Sequence, residues 1–221
     1  MTLPFRLYGL QRSCTSLMGY LALQNFDLEA REEVDFRHWF ANHYPLDVDG
    51  FPLRAIVCVK NPYAWLDSMQ RWCMSPITRR YLRLQLGLPL AEFLRHPCGD
   101  AIGPAAHWST MIEHWVSLRD RHPSTTFLVQ AEELYDTNGQ RQVMRRLAKA
   151  WKLQPWDKKL FTESRKMAAR FEATDKPMDV GYYEEQRYLD RFTDADLALV
   201  NEQLRVQLMT RFGYEWKGKR P

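Results

Sequence analysis

The sequence has little of what marks a membrane or secreted protein. No segment approaches the ~18 consecutive apolar residues of a membrane-spanning helix, and the opening MTLPFRLYGL lacks the basic stretch and apolar core of a secretory leader. Cysteine is scarce, and Cys14, Cys58, Cys73 and Cys98 form no C-x-x-C pair, so the sequence predicts neither a zinc site nor a disulfide framework. We therefore expect a cytoplasmic protein in a reducing compartment, with no membrane partner.

Blocks of like charge are also absent. The formal net charge is +4, but basic and acidic residues are interleaved and no nucleic-acid-binding motif occurs. This balance permits anionic ligands, and we expect no nucleic-acid partner. With 221 residues and no linker or internal repeat, the chain is predicted to form a single domain over residues 1–221.

Apolar runs and helical periodicity alternate along the chain. LRAIVCVK is an almost unbroken apolar run, typical of a strand buried on both faces of a parallel sheet. We predict an α/β fold with a central, mainly parallel β-sheet flanked by helices in three layers. The predicted strands are Phe5–Leu10, Leu53–Lys60 and Thr126–Gln130; the predicted helices are Thr15–Gln24, Ala105–Asp120, Gln140–Trp151 and Asp194–Arg211; Glu33–Phe40 is ambiguous, Thr78–Leu86 is a basic amphipathic stretch, and Thr174–Gly181 is predicted to be a loop.

The stretch RLYGLQRSCTSLMGYL leads from the first predicted strand through a turn into a helix. The first turn of a helix leaves backbone N–H groups unpaired and carries a partial positive charge, which favours a phosphate-like ligand. Arg12 adds a planar cation, while Ser13, Thr15 and Ser16 add hydroxyl groups. The alternative is a serine-capped helix start that binds nothing.

This turn does not match an ATP-binding loop. The pattern G-x-x-x-x-G-K-[ST], counted from Gly9, places Cys14 at the second glycine and Thr15 at the lysine. The loop therefore lacks the lysine that a nucleoside triphosphatase uses.

The second predicted strand ends in a cation. Nucleoside triphosphatases typically have an aspartate here that helps to hold magnesium, but AIVCV is followed by Lys60. Asn61 and Pro62 then suit the cap and first turn of a helix that carries Ser68. We predict a sheet edge with positive charge and no metal carboxylate, which would bind phosphate or sulfate directly. The alternative is that Lys60 is a solvated strand end and Ser68 a surface serine.

The segments YGLQRSCTSLM and VCVKNPYAWLDSMQRW together resemble the P-loop-like sulfotransferases that use 3′-phosphoadenosine 5′-phosphosulfate (PAPS), and most closely the bacterial small-molecule branch. The resemblance implies a P-loop-like fold and transfer of a sulfuryl group to a hydroxyl or amine of a small-molecule acceptor. The product nucleotide would be adenosine 3′,5′-bisphosphate, and no metal would be needed.

The resemblance also implies roles for particular residues. A family loop of the type [KR]-S-G-T-[TSN] grips the 5′-phosphosulfate, and the motif R-N-P-x-x-x-x-x-S grips the 3′-phosphate through its first and last residues. ESRKMAARF stands where the family often has a basic loop that closes over the nucleotide. By this match the cofactor-binding residues are Arg12, Ser13, Cys14, Thr15 and Ser16 at the 5′ end, Lys60 and Ser68 at the 3′-phosphate, and Arg165 and Lys166 in the basic loop.

Two positions depart from the family pattern. Cys14 replaces a glycine, so its Cβ either crowds a phosphate oxygen or shows that φ stays negative there. Lys60 replaces an arginine and offers a point charge instead of a two-pronged fork. We expect both changes to loosen donor binding without abolishing it.

Sulfuryl transfer needs a cation at the leaving oxygen and a base at the acceptor. Arg12 is the candidate for stabilising the leaving group. In DFRHWF, His38 matches the family's base position, and its pKa near 6.5 suits proton transfer at neutral pH. The alternative for His38 is simple packing beside Trp39, and the rival bases are Glu32, Glu33 and His43.

Other features point to packing or leave alternatives open. His107 and His114 lie seven residues apart without a carboxylate at metal-ligand spacing, so packing is favoured over metal ligation. Trp65, Trp72, Trp108 and Trp115 are predicted to be core residues; the alternative is that one or two of them line an acceptor pocket. Two alternative functions remain, a magnesium-dependent nucleotide or small-molecule kinase with a degenerate loop and a non-catalytic nucleotide-binding module. The acceptor and the oligomeric state are not predicted.

Overall fold

The computed structural model describes residues 2–32, 38, 47–48, 51–74, 88–98, 100–167 and 173–218. The chain divides into two compact units, each built from two segments. The first unit comprises Met1–Lys60 and His114–Val180, and the second comprises Asn61–Glu113 and Gly181–Pro221. The single domain that the sequence suggests stays a prediction.

The central sheet has four parallel strands. Across the sheet their order is Leu28–Ala30 (β2), Leu3–Gly9 (β1), Arg54–Val59 (β5) and Thr126–Gln130 (β6). Leu7 pairs with Ile56, and Val57 pairs with Leu128. Two antiparallel pairs, β3 with β4 and β7 with β8, complete the described strands. The strand bounds are β1 Leu3–Gly9, β2 Leu28–Ala30, β3 Asp47–Val48, β4 Phe51–Pro52, β5 Arg54–Val59, β6 Thr126–Gln130, β7 Arg165–Met167 and β8 Ala173–Pro177.

Helices flank the central sheet, so the predicted α/β class and parallel sheet are confirmed. Short 3₁₀ helices occupy Ala131–Leu134 and Arg187–Arg191. None of the helices in the described ranges has both the length and the apolar character to cross a membrane. The α-helices are α1 Thr15–Asn25, α2 Pro62–Met74, α3 Leu90–Phe93, α4 Pro104–Arg121, α5 Thr137–Trp151, α6 Val180–Glu184, α7 Asp194–Gln203 and α8 Val206–Phe212.

One face of the sheet forms the core of the first unit with α1 and α5. Every residue of β5 after Arg54 is buried, as expected for the unbroken apolar run. Cys58 packs in this core as a small hydrophobe. The core includes Phe5, Leu7, Ile56, Cys58 and Val129 from the sheet, Leu17, Met18 and Leu21 from α1, and Val143, Met144 and Leu147 from α5.

Local chemistry sets several boundaries where the sequence predicts them. Asn61 caps α2, because its Oδ1 accepts hydrogen bonds from the backbone N–H groups of Tyr63 (3.0 Å) and Ala64 (3.3 Å). Trp65, Trp108 and Trp115 are at most 2% exposed, which confirms their predicted place in the core, whereas Trp72 is only half-buried.

The predicted helix Asp194–Arg211 is wrong as a single element. The chain breaks after Gln203, and Leu204 and Arg205 adopt extended backbone before α8 begins. The buried Ser109 explains the break, because its Oγ donates to the Gln203 carbonyl oxygen (3.2 Å) and accepts from the Arg205 N–H (3.3 Å). These bonds satisfy backbone groups that a continuous helix would have paired internally.

The predicted loop Thr174–Gly181 is also wrong, because β8 covers its first part and α6 begins at Val180. Aspartate, lysine and proline disfavour a strand, but pairing with β7 provides the hydrogen bonds that local propensity does not predict. The stretches Thr78–Leu86 and Glu33–Phe40 lie outside the described residues, except for His38.

Candidate functional site

The candidate site lies at the carboxyl end of β1, in the first unit. β2 pairs with one side of β1 and β5 with the other, so the strand order reverses at β1. In open parallel sheets, ligands bind in the crevice outside the carboxyl ends of the strands at such a switch point. The loop after β1 and the residue after β5 therefore occupy the position expected of a binding site.

The loop after β1 has an unusual backbone. The Ser13 N–H donates to the Leu10 carbonyl oxygen (3.1 Å) and closes a tight turn. Arg12 (φ 68°) and Cys14 (φ 62°) lie in the left-handed region, whereas Ser13 between them does not. Backbone of alternating hand makes an anion-binding concavity, and such strained residues cluster at functional sites. The suggestion that φ stays negative at Cys14 is wrong.

Gly9 allows this loop to lie close to the neighbouring strand. Its φ is +154°, and a Cβ placed there would be 2.7 Å from the Cys58 carbonyl oxygen and 2.8 Å from Thr15 Cγ2. Any larger residue at this position would push the loop away from β5.

The first turn of α1 presents backbone N–H donors that no acceptor within the helix satisfies. The first intrahelical bond runs from the Met18 N–H to the Cys14 carbonyl oxygen, so the preceding N–H groups of the first turn have no acceptor within the helix. No side chain caps this end, and no acidic residue lies in the first turn. Thr15 is buried, Ser16 is half-buried and Arg12 is exposed. The first turn of α1 and the exposed Arg12 thus offer hydrogen-bond donors and a positive charge that suit an anion.

Ser13 adds a buried hydroxyl to these donors. The side chain is 1% exposed, and its Oγ has no hydrogen-bond partner among the described residues. Buried polar groups are almost always paired, so an unsatisfied hydroxyl in a strained loop favours a ligand as its missing acceptor.

Lys60 is buried against the same loop. It is 2% exposed, and its Nζ lies 3.5 Å from the Arg12 carbonyl oxygen, at the outer limit of a hydrogen bond. Burial raises the pKa of the Cys14 thiol, whereas the positive charges of Lys60 and Arg12 lower it. The suggestion that Lys60 is a solvated strand end is therefore wrong.

Glu132 is a carboxylate that the sequence analysis missed. It follows β6 in the 3₁₀ helix, and its negative charge raises the pKa of the Cys14 thiol. AEELY directly after a predicted strand was the available signal for Glu132, and the edge without a metal carboxylate stays a prediction. No group of three or more His, Cys, Asp or Glu side chains that could hold a metal occurs in the described part of the chain.

His38 lies beside Gly9, the last residue of β1, and its role as the base stays a prediction. Its Nδ1 is 2.6 Å from the Gly9 carbonyl oxygen. A carbonyl oxygen only accepts, so Nδ1 carries the hydrogen and the neutral ring has its lone pair on Nε2. This is the tautomer that a base requires.

The rival bases are placed differently. Glu32 is exposed and forms an ion pair with the buried Arg6, with 3.6 Å between Oε1 and Nη1. Glu33 and His43 lie outside the described residues.

Ser68 is on α2 in the second unit and is 4% exposed, so the surface alternative is wrong for it too. Its Oγ lies 3.2 Å from the hydroxyl of Tyr183, a neighbour that the sequence analysis missed. The adjacent Tyr182 donates to the buried Asp67 (3.0 Å), and burial raises the pKa of Tyr182 to about 12. Nothing in the local sequence signals either tyrosine contact.

Arg165 and Lys166 lie on β7 and are exposed. Glu163 accepts two hydrogen bonds from the Arg165 guanidinium, at 2.9 Å from Nε and 2.6 Å from Nη2. These bonds hold the pKa of the Glu163 carboxyl below its usual range. On α4, His107 and His114 are half-buried, and burial lowers the pKa of each.

No family model matches the chain, and neither a curated protein nor a solved structure matches it. Its function is therefore argued from the geometry of these residues and from the motifs in its sequence.

Proposed function

We propose that the chain is a P-loop-like, PAPS-dependent sulfotransferase that transfers a sulfuryl group to a hydroxyl or amine of a small-molecule acceptor. The observation that carries the proposal is the strained loop at residues 10–14, where the buried Ser13 hydroxyl lacks a partner among the described residues beside an uncapped helix start. A doubly charged phosphosulfate supplies the acceptors that this loop lacks.

The first-turn amides of α1 and the hydroxyls of Ser13, Thr15 and Ser16 would hold the 5′-phosphosulfate. Sulfuryl transfer resembles phosphoryl transfer, with in-line attack, a loose transition state and charge building on the bridging oxygen. Arg12 is exposed and carries a planar fork of donors, so it can move onto that oxygen as the bond to sulfur breaks.

His38 would take the proton from the acceptor. Because the Gly9 carbonyl oxygen accepts from Nδ1, Nε2 is the nitrogen that would accept the proton. The imidazolium formed in this step keeps the same hydrogen bond, now charge-assisted, so Gly9 stabilises the product of proton transfer.

The motif match supplies the remaining roles. It assigns the 3′-phosphate to Lys60 and Ser68, and the closing basic loop to Arg165 and Lys166. The described cysteines are all free thiols, which supports a reducing, cytoplasmic location.

Calorimetry without magnesium tests the donor site. Adenosine 3′,5′-bisphosphate should bind at least about tenfold more tightly than AMP or ATP, because only the bisphosphate carries the 3′-phosphate. Chromatography should then show conversion of PAPS to the bisphosphate with a panel of phenols, alcohols and amines, and His38→Ala should abolish conversion while binding persists. Bisphosphate binding no tighter than AMP would overturn the proposal. Tight binding without conversion would favour a nucleotide-binding module.

Glu132 favours a second candidate, the magnesium-dependent kinase. A carboxylate at the carboxyl end of a parallel strand can help to hold magnesium, and Glu132 directly follows β6, the strand that pairs with β5. For this candidate, magnesium must raise the affinity for ATP, and Glu132→Gln must remove that gain. The sulfotransferase proposal expects neither effect.

A further inference from the structure

The surroundings of Lys60 disagree with its role in the motif. The motif places it at the 3′-phosphate. Its amine instead lies against the carbonyl of Arg12, the first strained residue of the 5′ loop, and its charge lowers the pKa of Cys14, the second. We propose that Lys60 belongs to the 5′-anion site and supplies the lysine that the loop itself lacks. The ligand's identity as a nucleotide rests on the proposed function.

The sheet explains how a neighbouring strand can provide this lysine. Gly9 pairs with Cys58, so β1 and β5 end at the same level, and Lys60 follows that pair at the same edge. The missing side chain of Gly9 lets the loop approach the Cys58 carbonyl. An amine on the four-carbon stem of Lys60 therefore reaches the loop from the side. An ATP-binding loop carries this amine itself, at the position that Thr15 occupies here.

Burial gives this amine two tasks. A buried ammonium is costly unless it is hydrogen-bonded, and the Arg12 carbonyl contributes one acceptor. By donating to that carbonyl, Lys60 would help to orient the peptide group between Arg12 and Ser13. The same charge adds to the helix start and to the loop amides where a 5′-anion binds. The site then neutralises its anion with fixed protein groups rather than with magnesium.

Calorimetry on the full chain with four ligands separates the two roles of Lys60. AMP carries only the 5′-phosphate, 3′-AMP carries only the 3′-phosphate, and the bisphosphate carries both. Inorganic pyrophosphate has no nucleoside and tests the anion site alone. We expect Lys60→Met to lower the affinities for AMP, the bisphosphate and pyrophosphate by the same factor, about tenfold or more. The affinity for 3′-AMP should not change. Ser68→Ala is the matched control and should weaken only 3′-AMP and the bisphosphate.

The opposite pattern overturns the inference. If Lys60→Met weakens 3′-AMP and the bisphosphate but not AMP, Lys60 binds the 3′-phosphate as the motif implies. If the wild-type protein binds pyrophosphate best and binds the bisphosphate no more tightly than AMP, the sulfotransferase proposal is refuted. The effect of Lys60→Met on pyrophosphate affinity then still tests the role of Lys60. A wild type that binds none of the four ligands refutes both.

A second variant covers failure of Lys60→Met to fold. Lys60→Arg keeps the charge and introduces the residue that the family motif favours. If residue 60 binds the 3′-phosphate, Lys60→Arg should raise the preference for bisphosphate over AMP. Against the Arg12 carbonyl, the wider guanidinium should displace the loop and weaken AMP and bisphosphate equally. A raised preference would contradict our assignment. Circular dichroism and thermal unfolding of each variant confirm that the chain is folded.

Discussion

Ser13 shows how much one buried hydroxyl can reveal. A hydroxyl that is buried without a hydrogen bond costs about 1–3 kcal/mol, and folded chains rarely keep such a cost without a reason. At Ser13 the unsatisfied Oγ lies between two residues of positive φ, so the loop accumulates unfavourable terms before any ligand arrives. An anion that accepts from Ser13 offsets part of that cost when it binds.

Because the Ser13 hydroxyl is unsatisfied, Ser13→Ala should affect stability and ligand affinity differently from the substitution of a buried, hydrogen-bonded serine. We expect the affinity for adenosine 3′,5′-bisphosphate to fall about tenfold, while the unfolding free energy of the unliganded protein stays constant or rises, because an unsatisfied group is removed. Ser109→Ala is the matched control. Its hydroxyl makes two hydrogen bonds, so its loss should lower stability by about 1–2 kcal/mol and leave affinity unchanged. Calorimetry and urea unfolding measure both quantities; equal destabilisation with unchanged affinities would contradict the assignment of Ser13.

Cys14 offers a test of the strained backbone itself. In the left-handed region a glycine carries no Cβ penalty, whereas a β-branched residue is a severe outlier. We expect Cys14→Gly to be more stable to urea than Cys14→Val by at least about 1 kcal/mol. The same pair of substitutions at exposed Ser164 of the same unit, which has no positive φ, should show no such preference for glycine. If valine is tolerated at Cys14 as well as glycine, the positive φ is not a property of the folded loop.

Among the elements, α5 is joined to the segment leading into β7 by the buried side chain of Gln140. Gln140 is fully buried, and its Nε2 donates to the carbonyl oxygens of Leu134 (2.9 Å) and Glu163 (2.7 Å). Its Oε1 accepts from the Glu163 N–H (2.9 Å). One amide group thereby satisfies three backbone groups that belong to no regular ladder.

Replacing Gln140 by methionine should leave those three backbone groups unsatisfied. We expect Gln140→Met to lower the unfolding free energy by at least about 2 kcal/mol, because buried polar groups then lose their partners. Gln142 lies on the exposed side of the same helix, and Gln142→Met should change stability by less than about 0.5 kcal/mol. Chemical denaturation of the two variants gives the comparison. Similar losses for both would mean that helix propensity, rather than the buried amide, determines the effect.

The sequence predicts those elements whose signals are local. The apolar run of β5 and the Asn61 cap of α2 need no distant partner, and both are found where expected. The break after Gln203 could not be predicted, because Ser109, which stabilises it, lies far away in the sequence. The strand β8 could not be predicted for the same reason, since it is stabilised by pairing with β7.

The candidate site divides along the same line. The loop donors at residues 12–16 follow from the strand, turn and helix pattern. By contrast, the contact of Ser68 with Tyr183, the effect of Glu132 on Cys14 and the burial of Lys60 depend on sheet order and packing. Sequence motifs suggest which residues form the site but do not predict which neighbour each side chain meets.

For the whole molecule, acid stability should depend on Glu163. Two hydrogen bonds from Arg165 hold the pKa of this buried carboxyl below its ordinary value of 4.5. The unfolded chain therefore takes up this proton at a higher pH than the folded chain does. The resulting stability is complete above about pH 5 and is lost as the pH falls through the folded pKa.

We therefore expect Glu163→Gln to be less stable than wild type at about pH 7 and to approach it at about pH 3. Urea unfolding across this range measures the gap between the two proteins. Glu202→Gln, which removes an exposed carboxyl that forms no ion pair among the described residues, is the control for the loss of a surface charge. A constant gap for Glu163→Gln would mean that shape, not charge, makes this residue important.

The all-parallel central sheet has a consequence for how the chain acquires its structure. Leu7 pairs with Ile56, and Val57 pairs with Leu128, so no two neighbouring strands of this sheet are joined by a short turn. Such long-range pairings form slowly, because a large loop must close before any contact compensates for the lost entropy. A nascent chain that has not yet delivered Thr126–Gln130 leaves one edge of β5, its most apolar strand, open to pairing with another chain.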